Sequence, residues 1–347
     1  MSTERLRVAV VGAGNIAQQH LPVLTRHPGC EVAVLCDSDP AVLAATAGRF
    51  GIAGRTGDLA DVLRRDDLDA AFVLVSHRAT VAVAGAFLEA GLPVLLEKPP
   101  GMYAHETAAL AAIQARRGTL HMVGLNRRFY ASHLAARAWL RQHGPLASLT
   151  LEAHEDLTRM TTSRFLPHEL PLMQRRRAYA NGIHALDLIR YFGGEVAEVS
   201  AARATVAYPF PDSFAALLRF RPPAAAGAPE AGGAIGRVAM DFFAPGQHRF
   251  DLATGGARLI SDSPFGGVTL RVRGEPEVRF EPDADDTRYK PGFWKQDSAF
   301  LEGVRLGRQP ADPAATLADA YETMRLIDRI CGAGADEPPP AGPGALQ

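Results

Sequence analysis

In the stretch VAVVGAGNIAQQH an apolar run passes straight into a helical segment, and the turn between them spaces Gly12, Gly14 and Ala17 as G-x-G-x-x-A. The chemistry this suits is the holding of a pyrophosphate. Gly12 permits a tight turn, Gly14 lets the backbone approach the phosphates, and the small Ala17 lets the helix pack closely, so that the phosphates rest on the helix N-terminus. Asp37 ends the next β-like run about 20 residues after Ala17, where a carboxylate can accept both hydroxyls of an adenosine ribose. Together these residues predict a dinucleotide site. A carboxylate there repels a 2′-phosphate, and "CDSDP" supplies Asp39 rather than an arginine, so NAD is expected and NADP less so. Asp39 itself, just before Pro40, reads as a helix N-cap. Asn15 and Ile16 in the turn, Ser76 at the end of "AAFVLVS", and the pair Glu97 and Lys98 complete the cofactor-binding candidates.

Lys98 raises a separate question. In "VLLEKPPG" an apolar run ends in adjacent opposite charges and two prolines. Pro99 disfavours the helical conformation at Lys98 and makes a cis bond affordable, so the backbone there is restrained. Ligands of doubly wound sheets bind beyond the carboxyl ends of the strands. Lys98 ends such a strand, on the rim that should also carry Gly12 and Asp37, and an amine held there can take up or deliver a proton.

The elements that must position these residues follow from the apolar rhythm. "RVAVVG", "EVAVLCD", "AAFVLVS" and "PVLLEK" are nearly continuous apolar runs, as strands covered on both faces require, and Ala- and Leu-rich helical stretches separate them. This alternation predicts an α/β Rossmann domain, a doubly wound parallel sheet, over residues 1–123. After Gly124 the rhythm changes. Helical stretches near Ser132 to His143 and Gly182 to Tyr191 flank "SLTLEAHE", and then β-like runs succeed one another up to "EVRFEP". Consecutive strands of this kind predict a second, α+β domain over 124–333 with a large, mainly antiparallel open sheet, closed by helical stretches Trp294 to Arg305 and Pro313 to Cys331. The Ala-, Pro- and Gly-rich Arg221 to Ala234 reads as a loop between strands, and 334–347 as a disordered tail.

Bulk composition narrows the class. The chain has 347 residues, 47% of them apolar, with 37 Lys and Arg against 38 Asp and Glu. A net charge of −1 argues against a nucleic-acid partner, and no apolar stretch is long and unbroken enough to span a membrane. Cys30, Cys36 and Cys331 lack metal or disulfide spacing and fit a reducing, cytoplasmic setting. No metal site is expected.

The motifs taken in order resemble the Gfo/Idh/MocA family of nicotinamide-dependent oxidoreductases. The likeness rests on Gly12 to Ala17, "AGLPVLLEKP", "VGLNRRF", "HGPLASL", "NGIHALDLIRYFGG" and "FWKQDSAFLEGVRLG". It implies that Lys98 faces the nicotinamide and hydrogen-bonds the reacting oxygen, that His184 reaches the same atom from the second domain, and that the protein is a homodimer or homotetramer. The implied activity is hydride transfer between NAD and a secondary hydroxyl or ketone of a sugar, polyol or nucleotide sugar. Two rivals keep the cofactor: a glycosidase that oxidises its substrate transiently, and a non-catalytic NAD-binding regulator.

One position departs from the family pattern. An Asp commonly stands four residues before the His, one helical turn away, and here it is Ala180, while Asn181 and Asp187 have other offsets. The segment before His184 is basic, with Arg159, Arg164, Arg175, Arg176 and Arg177. Arginines suit bidentate capture of carboxylate or phosphate, so a phosphorylated, nucleotide-linked or acidic sugar would fit. Arg127, His154, Arg164 and Asn181 are therefore the substrate candidates, and His168 between two prolines reads as a loop residue.

Overall fold

A computed structural model describes residues 5–160, 169–222, 233–263 and 265–332. Six parallel strands, β1 (Leu6–Val11), β2 (Cys30–Cys36), β3 (Arg55–Thr56), β4 (Ala70–Val73), β5 (Val94–Glu97) and β6 (His121–Gly124), form one sheet in the order β3-β2-β1-β4-β5-β6. Strands β4, β5 and β6 are buried along their whole length, which explains their unbroken apolar sequence. Alternate side chains serve opposite faces. Val8, Val10, Leu35 and Phe72 pack with Leu21, Leu24 and Phe300, whereas Ala9, Val11, Ala71, Val73 and Leu96 pack with Phe87, Leu88 and Leu110. The doubly wound architecture expected from the sequence is thus the architecture observed.

The second sheet has eight strands, β7 (Ser148–His154), β8 (Val196–Ala204), β9 (Ser213–Phe220), β10 (Ile235–Asp241), β11 (His248–Ala253), β12 (Ala257–Ser261), β13 (Val268–Val272) and β14 (Val278–Phe280). Their order is β14-β13-β12-β11-β7-β10-β9-β8, and every pair is antiparallel except β7 with β10. Strand β9 alternates buried and exposed positions, with Phe214, Ala216, Leu218 and Phe220 inside and Leu217 58% exposed. One face therefore carries the core and the other is open. The helix Ile183–Gly193 lies against β7, and the helix Leu317–Cys331 against β8 and β9.

The C-terminal helices serve both sheets. Phe293–Leu306 packs on the first Rossmann helix, Ala17–Leu24, and Leu317–Cys331 packs on Ala104–Arg117, so the stretch after β14 ties the expected second unit back to the first. Residues 223–232, within the expected loop after β9, and the expected tail 334–347 lie outside the described residues. Among the described residues, no helix is long and apolar enough to cross a membrane.

A buried ion pair fixes this junction. Arg128, 5% exposed, donates from Nε and Nη2 to the two oxygens of Asp187 at 2.7 and 2.6 Å, and from Nη1 to Asp319 at 2.6 Å. It joins the turn after β6 to the His184 helix and to the start of the last helix. Removing one member of a buried pair leaves the other's charge uncompensated. Arg128→Met is expected to lower unfolding stability by about 3–5 kcal/mol, measured by urea denaturation; a loss below about 1 kcal/mol, the worth of an exposed pair, would mean that the junction is held by apolar packing alone.

Candidate active site

The carboxyl ends of the parallel strands form one rim because their registers align. Val11 pairs with Cys36 and Val73, and Val73 with Leu96, so Gly12, Asp37 and Leu74 sit one step beyond that row and Lys98 two, just past the pair Glu97 and Gly124. The strand order reverses between β1 and β4, the crevice where doubly wound sheets take ligands. Gly12 has φ +100°, and a Cβ there would lie 2.8 Å from the Val75 amide nitrogen and closer still to the Leu74 carbonyl, so only glycine lets the turn pass so near β4. Gly14 faces open space, and Asn15 beside it is exposed. No side chain caps the helix Ala17–Leu24, which leaves its first amides toward the rim as a phosphate cradle requires. Asp37 accepts from the Ala13 amide at 2.7 Å and from the Asp39 amide at 2.9 Å, which fixes its carboxylate beside the glycine turn. Ser76 is exposed at the same rim, just before the helix His77–Ala90. These residues fit a dinucleotide. Asp39 accepts from Ala41 and Val42, the N-cap role expected of it.

Lys98 is partly buried and its peptide bond to Pro99 is cis. Its Nζ donates to the Ala180 carbonyl at 3.1 Å, spanning from the first sheet's rim to the π-helical turn Ala178–Gly182 that precedes the His184 helix. Burial draws the Lys98 ammonium down to about 8, against the attraction of Glu97, and the charges of Arg177, Lys290 and Arg127 act in the same direction as burial. Ala180 thus contributes a backbone carbonyl at the position where the family resemblance led to the expectation of a carboxylate.

His184 is buried, 8% exposed, and its Nδ1 has no hydrogen-bond partner among the described residues. Burial and the charges of Lys98, Arg127, Lys290 and His248 hold it well below the ordinary imidazole range, so it is neutral. Asp187, the nearest acid in its own helix, is committed to Arg128. Nothing of opposite sign in this helix orients the imidazole.

The carboxylate of the site comes from β7's end instead. Glu155 accepts from Arg177 Nε at 2.6 Å, from Asn181 Nδ2 at 2.8 Å and from His248 Nε2 at 3.0 Å. Burial would raise it, but these partners bring it to about 2. Arg127 Nη1 lies 2.8 Å from His248 Nδ1. A guanidinium can only donate, so Nδ1 is the acceptor and His248 carries its proton on Nε2, facing Glu155. Lys98, Arg127, Arg177 and Lys290 all act on Lys98 or His184, and Glu155 is the carboxylate inside this network.

Glu97 was expected at the cofactor, yet the structure turns its carboxylate inward. Oε1 lies 3.2 Å from His20 Nε2, and His20 Nδ1 lies 2.9 Å from Asp297. All three side chains are buried. Burial works against a charged His20, but the two flanking carboxylates push it up to about 9. A Cβ at Gly124 would sit 2.6 Å from Glu97 Oε1, so the glycine ending β6 makes room for this chain.

Of the substrate candidates, Arg127 and Asn181 come together with Lys98 and His184, whereas Arg164 lies outside the described residues, as does His168. His154 does not join them. It bonds Asp241 at 2.6 Å and faces Glu152 at 3.5 Å, because the period-two alternation of β7 sends Ala153 to the buried face and His154 to the other. Of the basic segment, Arg159 is exposed and pairs with Asp156, and Arg176 is buried, with its guanidinium 4.0 and 3.9 Å from the ring centres of Tyr103 and Tyr179. Sequence reasoning missed Glu155, His248 and Lys290. His248 carries one weak signal: it opens β11 opposite Ala153, on the buried face.

Residues 6–125 match the model of an oxidoreductase family with an NAD-binding Rossmann fold. The matched region is thus similar to the NAD-binding Rossmann domain of oxidoreductases. That model is the Gfo/Idh/MocA one, and the part of this chain similar to it holds the whole parallel sheet and the glycine turn. A D-apiose dehydrogenase of Paraburkholderia graminis is 28% identical over 219 residues, 59% of this chain and 54% of that protein, so the match spans about half the relative's length. A 4-carboxy-2-hydroxymuconate-6-semialdehyde dehydrogenase of Sphingobium is 22% identical over 93% of this chain and 98% of its own. Among solved structures, a levoglucosan dehydrogenase complexed with NADH superposes with a TM-score of 0.77 at 17% identity, covering 94% of this chain and 96% of that one, a likeness of fold.

Asp37→Ala is expected to raise the NADH dissociation constant about 10- to 100-fold, the worth of hydrogen bonds to a charged group, while NADPH is affected less. Fluorescence titration of both cofactors checks this, and unchanged NADH affinity would remove Asp37 from the site.

Proposed function

We propose that the protein is an NAD-dependent dehydrogenase that interconverts a secondary alcohol and a ketone on a small polyhydroxylated substrate, with Lys98 and His184 on the reacting oxygen. The carrying observation is the bond from Lys98 Nζ to the Ala180 carbonyl, one helical turn before His184 and its unpartnered Nδ1, at the rim of an NAD-binding sheet, where burial draws the lysine down to about 8 and keeps the imidazole neutral. NAD, held by Gly12, Gly14, Asn15, Ile16, Asp37 and Ser76, supplies the hydride acceptor.

The division of labour follows from the charges. Bound NAD would accept the hydride of the carbinol carbon, and formation of the ketone then requires the hydroxyl proton to go to a base. Neutral Lys98 takes that proton, since a base is most useful with a pKa near working pH. His184 stays neutral and fixes the oxygen by a hydrogen bond, because the surrounding cations disfavour an imidazolium. In the reverse direction Lys98 returns the proton to the carbonyl oxygen.

Support for a sugar-like substrate comes from relatives named for apiose and levoglucosan. Asn181, whose amide oxygen is not used by its bond to Glu155, adds a neutral group suited to hydroxyls. A homo-oligomer through the open sheet face, in the reducing cytoplasm, completes this reading.

The sign of the pH dependence is fixed. Oxidation needs neutral Lys98, so kcat/KM for NAD reduction is expected to rise with pH and level off above about 8, with reduction of the ketone showing the opposite trend. Lys98→Met should lower kcat about 10²- to 10⁴-fold and abolish that inflection while leaving NADH affinity within about threefold. Initial rates of NADH formation from pH 6 to 10 check it, and a variant retaining turnover within about twofold would remove Lys98 from the chemistry.

A further inference from the structure

Arg127 and Arg128 are adjacent, both buried, at 6% and 5% exposure, and differently served. Arg128 has two carboxylates. Arg127 makes no ion pair with any described residue: Nη1 donates to neutral His248, and Tyr130 is its other polar neighbour. Glu155 lies near enough to be felt by Arg127, but its oxygens already accept from Arg177, Asn181 and His248. A buried guanidinium without a counter-ion costs several kcal/mol, and a neutral polyol would leave that cost unrelieved.

We propose that the substrate carries a carboxylate next to its reacting carbon and that Arg127 binds it, which makes the substrate class hydroxy acids such as aldonates, aldarates or uronates. The inference rests on the dehydrogenase reading of the Lys98 and His184 site and names what that site takes. Proximity sets the position of the anion. Arg127 bonds His248, His248 bonds Glu155, and Glu155 bonds Asn181, the neighbour of the Ala180 carbonyl that Lys98 Nζ holds, so a group bound to Arg127 lies close to the carbinol carbon rather than at the far end of a nucleotide sugar. Stoichiometry of donors sets its kind. His248 engages Nη1 and Tyr130 a further donor, so of the five guanidinium N–H groups three remain, and planar guanidinium donors match the two oxygens of a carboxylate. Lys290, exposed and acting on both Lys98 and His184, adds attraction at the entrance.

The test uses the full chain loaded with NADH and follows cofactor fluorescence during titration with C4 to C6 aldonates and aldarates, tartrate and gluconate among them, beside their alditols and the corresponding sugar phosphates. At least one acid is expected to bind about tenfold or more tightly than its alditol and its phosphate counterpart, and Arg127→Gln should bring the acid-to-alditol ratio to about one. NADH affinity of the variant reports whether it folds; should it not, the wild-type ratios decide alone. Alditols binding as tightly as every acid, a phosphate binding more tightly than every acid, or a ratio unchanged in Arg127→Gln would each overturn the carboxylate. NAD reduction, measured separately, keeps the two readings apart. An acid bound through Arg127 with no acid, alditol or phosphate reducing NAD would sink the dehydrogenase and leave the carboxylate site, whereas alditols reducing NAD with no acid bound would do the reverse.

Discussion

Everything at the rim depends on where the end of β5 is held, and a buried chain of charges holds it. His20 from the first Rossmann helix lies between Glu97 and Asp297, so the residue immediately before Lys98 is tied to two helices at once. Glu97 also accepts from the Lys98 amide at 3.2 Å. A carboxylate free to swing would let the following residue swing with it. With Glu97 fixed from behind and the Ala180 carbonyl in front, the Lys98 side chain has little freedom left, and positioning of this kind is a large part of what a hydride-transfer site must provide.

The loss of an acid at position 180 acquires a physical meaning in this frame. A carboxylate one turn before His184 would stabilise an imidazolium and pair with Lys98. With Ala180 in its place, Lys98 keeps only a neutral carbonyl in front of it, and His184 is left among cations. Both effects push toward neutral forms, so on the proposed reading the site gains a usable amine base at the expense of an imidazole base. Glu155 does not restore the balance, because it is consumed by Arg177, Asn181 and His248.

Much of this was legible in the sequence, and the parts that were not share a cause. The glycine turn, Asp37, Asp39 and the strand ending at Lys98 are local features, set by neighbours a few residues away. Placing His184 beside Lys98 needed the family resemblance, since 86 positions separate them. His154 was named because it ends a strand expected to line the cleft, but a strand's ladder alone does not tell which face meets the cleft; the pairing of His248 with Ala153 in the next strand does. Glu97 was read as a cofactor neighbour for a similar reason, as its partner His20 lies 77 residues away and Asp297, on the other side of that imidazole, 200. Long-range charge pairing, here as at Arg128 with Asp187 and Asp319, leaves little trace in local pattern.

The central claim is that Lys98 and His184 converge on one substrate oxygen above the cofactor. A crystal structure of the ternary complex with NADH and a bound hydroxy acid tests it most directly. The account requires the reacting oxygen within about 2.6–3.2 Å of both Lys98 Nζ and a ring nitrogen of His184. A reacting oxygen touched by neither, or a nicotinamide bound away from Lys98, would contradict it.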